Sequence, residues 1–165
     1  MLPRKGTALF LHGIDRASAI ARGFRVVDHA SEAEVAVIRL TAPYQTLHPN
    51  FFFGRIQHEG DLDFKDGDPG LVLVRATAAR IPTIVVVSLD RPAILTPFRG
   101  VAKALIGDFG ISEGALFDAL TGLVTPVGRL PFELPSSMTD VEAQSSGAPH
   151  DSRSPLYRIG FRHAR

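Results

Sequence analysis

The sequence predicts an α/β layer architecture in which the strands of a mostly parallel sheet alternate with helices, followed by an irregular, proline-rich C-terminal tail. Three observations carry this prediction. The segments EVAVIRL (34–40) and PTIVVVSLD (82–90) are apolar at nearly every position, as strands are when helices cover both faces of a parallel sheet. Segments of helical length lie between such runs, each opening on an acceptor side chain. From Thr125 onward the chain carries five prolines and little periodicity.

The elements follow in order. Residues 8–11 form a short apolar run closed by His12-Gly13, a buried strand reaching a turn. Asp15 caps a helix through Ala17, Ile20 and Ala21 that Gly23 ends, and residues 24–27 make a second strand. Residues 34–40 are the third, and a long loop, 41–67, leaves it. Asp68-Pro69 then starts a helix, with an acceptor at the N-cap and proline at the first helical position. Residues 82–90 give the strongest strand signal and are placed at the centre of the sheet. RPAILTPF reads as a turn and one short helix. Residues 101–110 fit a strand as well as a helix, and periodicity leaves both open. Ser112 caps a last helix closed by Gly122. The tail lies over the core with room for one edge strand.

The 165 residues match one domain, 1–165, with 45% apolar and 21% charged residues, an ordinary globular composition. Eighteen basic against seventeen acidic side chains give a net charge of +1 with no basic stripe, so nucleic acid is not an expected partner. No cysteine is present, which removes disulfides, thiolate metal sites and a cysteine nucleophile. The longest apolar stretch falls short of the roughly 18 residues that span a bilayer, and no membrane association is expected. No signal-peptide pattern is visible. The compartment stays open, cytoplasmic if the chain is complete.

The loop after the third strand draws attention by its length and its position, since ligands of α/β sheets meet the loops outside the carboxyl ends of the strands. Within it, QHEGDLDF (57–64) places Glu59, Asp61 and Asp63 at every second position, beside His58. Extended, the three carboxylates line one face and repel one another unless something sits opposite. A calcium loop starting at Asp61 breaks at Lys65 and lacks the glycine expected at Asp66, so no metal and no cofactor are expected. The six histidines show no zinc spacing, and no Gly-x-Ser-x-Gly elbow is present. Besides a solvated turn, a carbohydrate contact surface fits these residues, with Phe51, Phe52 and Phe53 free to stack on a sugar or to pack the loop down.

Taken in order, VAVIRLTAPYQ, QHEGDLDF, PTIVVVSLDRPAIL, ALIGDFGISEGALFDALTG, PVGRLPFELPSSM and SPLYRIGF resemble the C-terminal domain of glycoside hydrolase family three, the β-glucosidase type. The resemblance runs from Leu2-Pro3 to Gly160-Phe161, and GRLPFELP alone is characteristic. It implies a three-layer α/β sandwich with a mostly parallel sheet of about five to six strands and helices on both faces. It also implies a partner, a (β/α)8 barrel in cis or trans that carries the nucleophilic aspartate, while this domain supplies a loop over the sugar. Relatives often read PYE where this chain has Pro43-Tyr44-Gln45, and HQGDLDF where it has Glu59 after His58. The first departure removes a carboxylate and the second supplies one nearby. On this basis Glu59 is the candidate acid/base, with His58, Asp61, Asp63 and Gln45 as candidate substrate-binding residues around a β-glucoside-like carbohydrate. The alternative is a stand-alone carbohydrate-binding or protein-interaction domain without catalysis. The order of the motifs argues against a flavodoxin-like regulatory domain. Residues 160–165 depart from the family's usual closing sequence.

Overall fold

The computed structural model describes residues 3–145, 147–148 and 150–162. Leu2, expected to open the domain, and residues 163–165 of the divergent closing segment lie outside the described residues. Five strands, β1 (Ala8–His12), β2 (Arg25–Val27), β3 (Val35–Thr41), β4 (Thr83–Ser88) and β5 (Ala104–Asp108), make one sheet in the order β2-β1-β3-β4-β5. Every pairing in it is parallel. This is a doubly wound order: the chain starts inside the sheet, moves outward one way, then returns and moves out the other, so the direction reverses between β1 and β3.

Helices cover both faces. On one side, α2 (Pro69–Ala78) lays Leu71 and Val74 over Ala36, Ile38 and Leu40 of β3 and Val85 and Val87 of β4, joined by Phe64 and Phe98. On the other, α1 (Arg16–Ala21) and α3 (Glu113–Thr121) bring Ala19, Leu116 and Phe117 against Leu9, Val37, Ile84 and Val86. Alternation along each strand sends neighbouring residues to opposite layers, and both layers are apolar, which is why β3 and β4 read as continuous hydrophobic runs. The helix starts are those read from the sequence. Asp15 accepts the amides of Ala17 and Ser18, Asp68 those of Gly70 and Leu71, and Ser112 that of Ala115. Gly122 closes α3 with φ 78°, a conformation that favours glycine.

The segment 101–110, open between helix and strand, contains β5, in register with β4 from Ala104 opposite Ile84 to Asp108 opposite Ser88. A Cβ on Gly107 would come within 2.9 Å of Leu89 Cδ1, so glycine lets the edge strand lie close to its neighbour's side chain. The tail contains an element that the sequence reading left irregular, α4 (Met138–Glu142), started by Ser137 Oγ accepting the Asp140 amide at 3.1 Å. The Ser-x-x-Asp spacing was its signal. The edge strand allowed for in the tail shrinks to one antiparallel bridge, Leu134 to Tyr157. Pro131 and Pro135 flank that stretch and have no amide to extend a ladder.

One ion cluster ties the layers at the carboxyl end of the sheet. Asp108, 2% exposed, lies 3.2 Å from Arg39 Nη2 and accepts the amides of Gly110 and Ile111 at 2.8 Å each. Arg39 also reaches Glu113 in the first turn of α3 at 2.7 Å. Removing Asp108 would take from Arg39 one of its two carboxylate partners and leave the Gly110 and Ile111 amides without their acceptor. Asp108→Ala is therefore expected to lower stability by about 3 kcal/mol. Asp28→Ala, which breaks the exposed Arg16–Asp28 pair, should change it by less than about 1 kcal/mol. Urea unfolding midpoints of the two variants, followed by circular dichroism, check the contrast.

Candidate functional site

The chain leaves β3 and β4 at the same level. Thr41 lies opposite Ser88, and the Ala42 amide donates to Ser88 O at 3.0 Å. The connection 42–68 therefore rises beside the turn that follows β4, and that turn holds it. Ile94 donates its amide to Leu62 O at 2.9 Å. Arg91 spreads its guanidinium over two carbonyls, those of Glu59 and of Gly60, the latter at 2.8 Å. Leu62 and Phe64 are buried, with the Phe64 ring edge-on to Phe98 at 4.8 Å, and Met138 Sδ accepts the Leu62 amide at 3.4 Å. The loop is thus pinned at its returning arm and projects from there.

Its two arms meet through Gln45 and Glu59, which exchange backbone hydrogen bonds at 2.8 and 3.1 Å. Gly60 then turns the chain with φ 71°, and a Cβ there would fall 1.9 Å from Gln45 Oε1, which accepts the Asp61 amide at 3.2 Å. A side chain at position 60 would meet both backbone strain and a steric block. This turn corrects the expectation of one face carrying three carboxylates, because alternation requires extended backbone throughout. Glu59 goes one way, to His48. Asp61 and Asp63 go to Lys65, at 2.9 Å each.

Glu59 thus has an imidazole partner, while Asp61 and Asp63 share one cation. His48 Nδ1 lies 2.9 and 3.0 Å from the two Glu59 oxygens, and the Leu47 amide donates to Oε2 at 3.2 Å. The hydrogen bond from His48 holds the Glu59 carboxyl below the usual carboxylate range, against an opposing effect of desolvation. Hydrogen bonds to Asp63 and Asp61 raise the Lys65 ammonium above its ordinary value. Lys65, which broke the calcium spacing, is the group sitting opposite those two aspartates. His58 has different partners. It stacks flat on Tyr44, with ring centres 3.8 Å apart and planes at 12°, and its Nδ1 bonds the Asp90 carboxylate.

Sequence reasoning missed His48, Tyr44, Asp90 and Arg91. For Asp90 and Arg91 there was a signal, charged residues immediately past the carboxyl end of the central strand. For His48 there was none, since it meets Glu59 across an irregular loop. The aromatic run does not pack the loop down: Phe51, Phe52 and Phe53 are 70%, 94% and 59% exposed. With His48 and Gln57 they line an open groove of about 370 Å³. The arrangement brings one titratable carboxyl and its imidazole to the margin of an apolar groove, beyond the carboxyl ends of β3 and β4.

Residues 11–163 match the family described as the glycosyl hydrolase family 3 C-terminal domain. Among characterised relatives, the periplasmic beta-glucosidase/beta-xylosidase of Dickeya chrysanthemi is 41% identical over 162 residues, which are 98% of this chain and 25% of that protein. Beta-glucosidase C of Emericella nidulans is 36% identical over 166 residues, with 96% and 25% covered. The chain thus spans about a quarter of the length of these relatives. Among solved structures, the beta-D-glucoside glucohydrolase of Trichoderma reesei superposes with a TM-score of 0.69 at 19% identity, over 98% of this chain and 33% of that one. A beta-glucosidase of Listeria innocua gives 0.67 at 13% identity, over 95% and 30%. At these identities the likeness is one of fold.

Two measurements test the loop's anchoring. Arg91→Ala removes the clamp on the returning arm, so the Gln45 and Glu59 amides should exchange with solvent about tenfold faster, the effect of one or two lost hydrogen bonds to a charged donor, while amides of β4 stay unchanged. Because the folded loop holds the Glu59 carboxyl below its ordinary value, that contribution to loop order is complete above the unfolded carboxyl range. It is lost as pH falls through the folded value, so exchange at Leu47 and Glu59 should accelerate, relative to β4, only below the ordinary glutamate range.

Proposed function

The chain belongs to the glycosyl hydrolase family 3 C-terminal domain family, and from that membership we propose that it works as the second domain of a β-glucosidase-type retaining glycosidase, covering a β-glucoside-like sugar held by a (β/α)8 barrel supplied in cis or in trans. The observation that carries this reading is the projecting loop 42–68, which sets Glu59 at the margin of an exposed aromatic groove at the carboxyl edge of the sheet. Exposed aromatic faces suit the apolar CH face of a pyranose as well as an apolar neighbour.

In this reading Glu59 is the acid/base. Its proton passes to the leaving glycosidic oxygen, and in the second half of the cycle it takes a proton from the attacking water. The nucleophile comes from elsewhere. Retention needs a second carboxyl about 5 Å away and free to attack, whereas Asp61 and Asp63 are engaged by Lys65 and Asp90 by His58. A barrel carboxylate fills that role. Gln45, His58, Asp61 and Asp63 shape the sugar-facing margin, Gln45 through its bonds to Glu59 and Asp61 and His58 through its stack on Tyr44. A second reading, a non-catalytic carbohydrate-binding or protein-interaction domain, is favoured by Gln45, which stands where a glutamate is common in the resembling family.

An aryl β-glucoside separates the two. The isolated chain should give no hydrolysis, and addition or fusion of its cognate barrel should give turnover. With the barrel present, Glu59→Gln should lower kcat by roughly a hundredfold or more while leaving folding intact. Hydrolysis by the isolated chain would contradict the incomplete-mechanism reading, and saturable sugar binding without turnover in the assembled protein would favour the second.

A further inference from the structure

We propose that His48 is a positioning residue for Glu59, gripping its carboxyl through Nδ1 at both oxygens so that the group is aimed at the reacting glycosidic oxygen and, later, at the attacking water. The proposal rests on the reading of Glu59 as the acid/base.

The geometry makes the case. Among the described residues, His48 is the one side chain that hydrogen-bonds the Glu59 carboxyl, with Nδ1 2.9 and 3.0 Å from its two oxygens. Both partners are themselves held. The two backbone bonds between Gln45 and Glu59 bring the arms of the loop together, and the Leu47 amide adds a 3.2 Å bond to Oε2. The His48 carbonyl accepts the Phe51 amide at 3.1 Å, and the Phe51 ring stands edge-on to the imidazole, with centres 5.5 Å apart and planes at 88°. A Cβ on Gly54 would fall 1.5 Å from His48 O, so the turn closes tightly around the histidine only with glycine there. The aromatic run and the acid/base therefore share one scaffold: the turn that carries Phe51 to Phe53 also aims the imidazole.

The neighbouring charges do not duplicate this role. Arg91 is spent on the carbonyls of Glu59 and Gly60, Lys65 on Asp61 and Asp63, and His58 on Asp90. A lysine or arginine in place of His48 could only donate, which would bind the carboxylate and leave the protonated acid poorly served. An imidazole nitrogen donates in one tautomer and accepts in the other, so its contact with Glu59 survives both protonation states of the carboxyl. That property suits a group that gives up a proton and regains it within one turnover.

The test uses the assembled, barrel-containing protein with Glu59→Gln, His48→Ala and His48→Gln, each confirmed folded by its amide spectrum. His48→Ala should lower kcat roughly ten- to a hundredfold through lost aim, with KM little changed. It should also move the basic limb of the kcat/KM profile to higher pH, because an acid that loses a partner favouring its ionised form stays protonated longer. His48→Gln keeps a donor and should recover most of kcat. If Glu59→Gln is impaired while His48→Ala retains both kcat and the position of the basic limb, the positioning role is overturned. If Glu59→Gln is fully active, the acid/base reading itself falls, and the inference with it.

Discussion

The register of β3 against β4 decides where every side chain of the candidate site can lie. Six consecutive pairs, from Ala36–Thr83 to Thr41–Ser88, bring the two strands to an end together. Neither strand can slip by one residue, because a slip would send Ile38, Leu40, Val85 and Val87 to the layer of α1 and α3 and expose the mismatch in both layers at once. With that register set, the chain that leaves β3 must pass the chain that leaves β4. Arg91 and Ile94 meet the returning arm of the loop, and the turn at Gly60 separates Glu59 from Asp61 and Asp63. The placement of the charged groups at the margin of the groove is thus a consequence of core packing some distance below it.

The same end of the sheet holds two kinds of charged group, and their surroundings distinguish their roles. Asp108 is enclosed, bonded to two amides, and paired with an arginine that also reaches α3; it joins layers. Glu59 lies at the surface, and among the described residues its one side-chain hydrogen-bond partner is an imidazole able to change its hydrogen-bonding role. Buried carboxylates with permanent cationic partners suit architecture, whereas a carboxyl beside a titratable partner suits proton traffic. The doubly wound strand order is shared with flavodoxin-like proteins, so order alone assigns no chemistry.

Much of the fold was legible because its determinants are local. β3 and β4 announce themselves as uninterrupted apolar strings since both of their faces are covered, and Asp15, Asp68 and Ser112 mark helix starts because an acceptor at the N-cap meets amides that no helical carbonyl reaches. The short α4 escaped because its five residues show no periodicity, although Ser137 and Asp140 stood at capping distance. In the site, the wrong inference about one carboxylate face came from assuming that period-two spacing meant extended backbone; a single positive φ at Gly60 undoes it. The pairing of His48 with Glu59 lay beyond local reasoning, since it depends on how two irregular arms fold back on each other. The ordered motifs carried the family and the fold, but they did not say which histidine would meet the glutamate.

The loop 42–68 also occupies a privileged place in the topology. It is inserted in the crossover between two central strands, yet it leaves and rejoins the body at points fixed by the sheet and by the start of α2. The entropic cost of such an insertion grows only logarithmically, each doubling in length adding about 0.6 kcal/mol. Length and sequence in its projecting part, short of the buried Leu62 and Phe64, can therefore drift, or be exchanged as a cassette, with little penalty to the sheet beneath. A scaffold of this kind separates the evolution of what is recognised from the evolution of what keeps the protein folded.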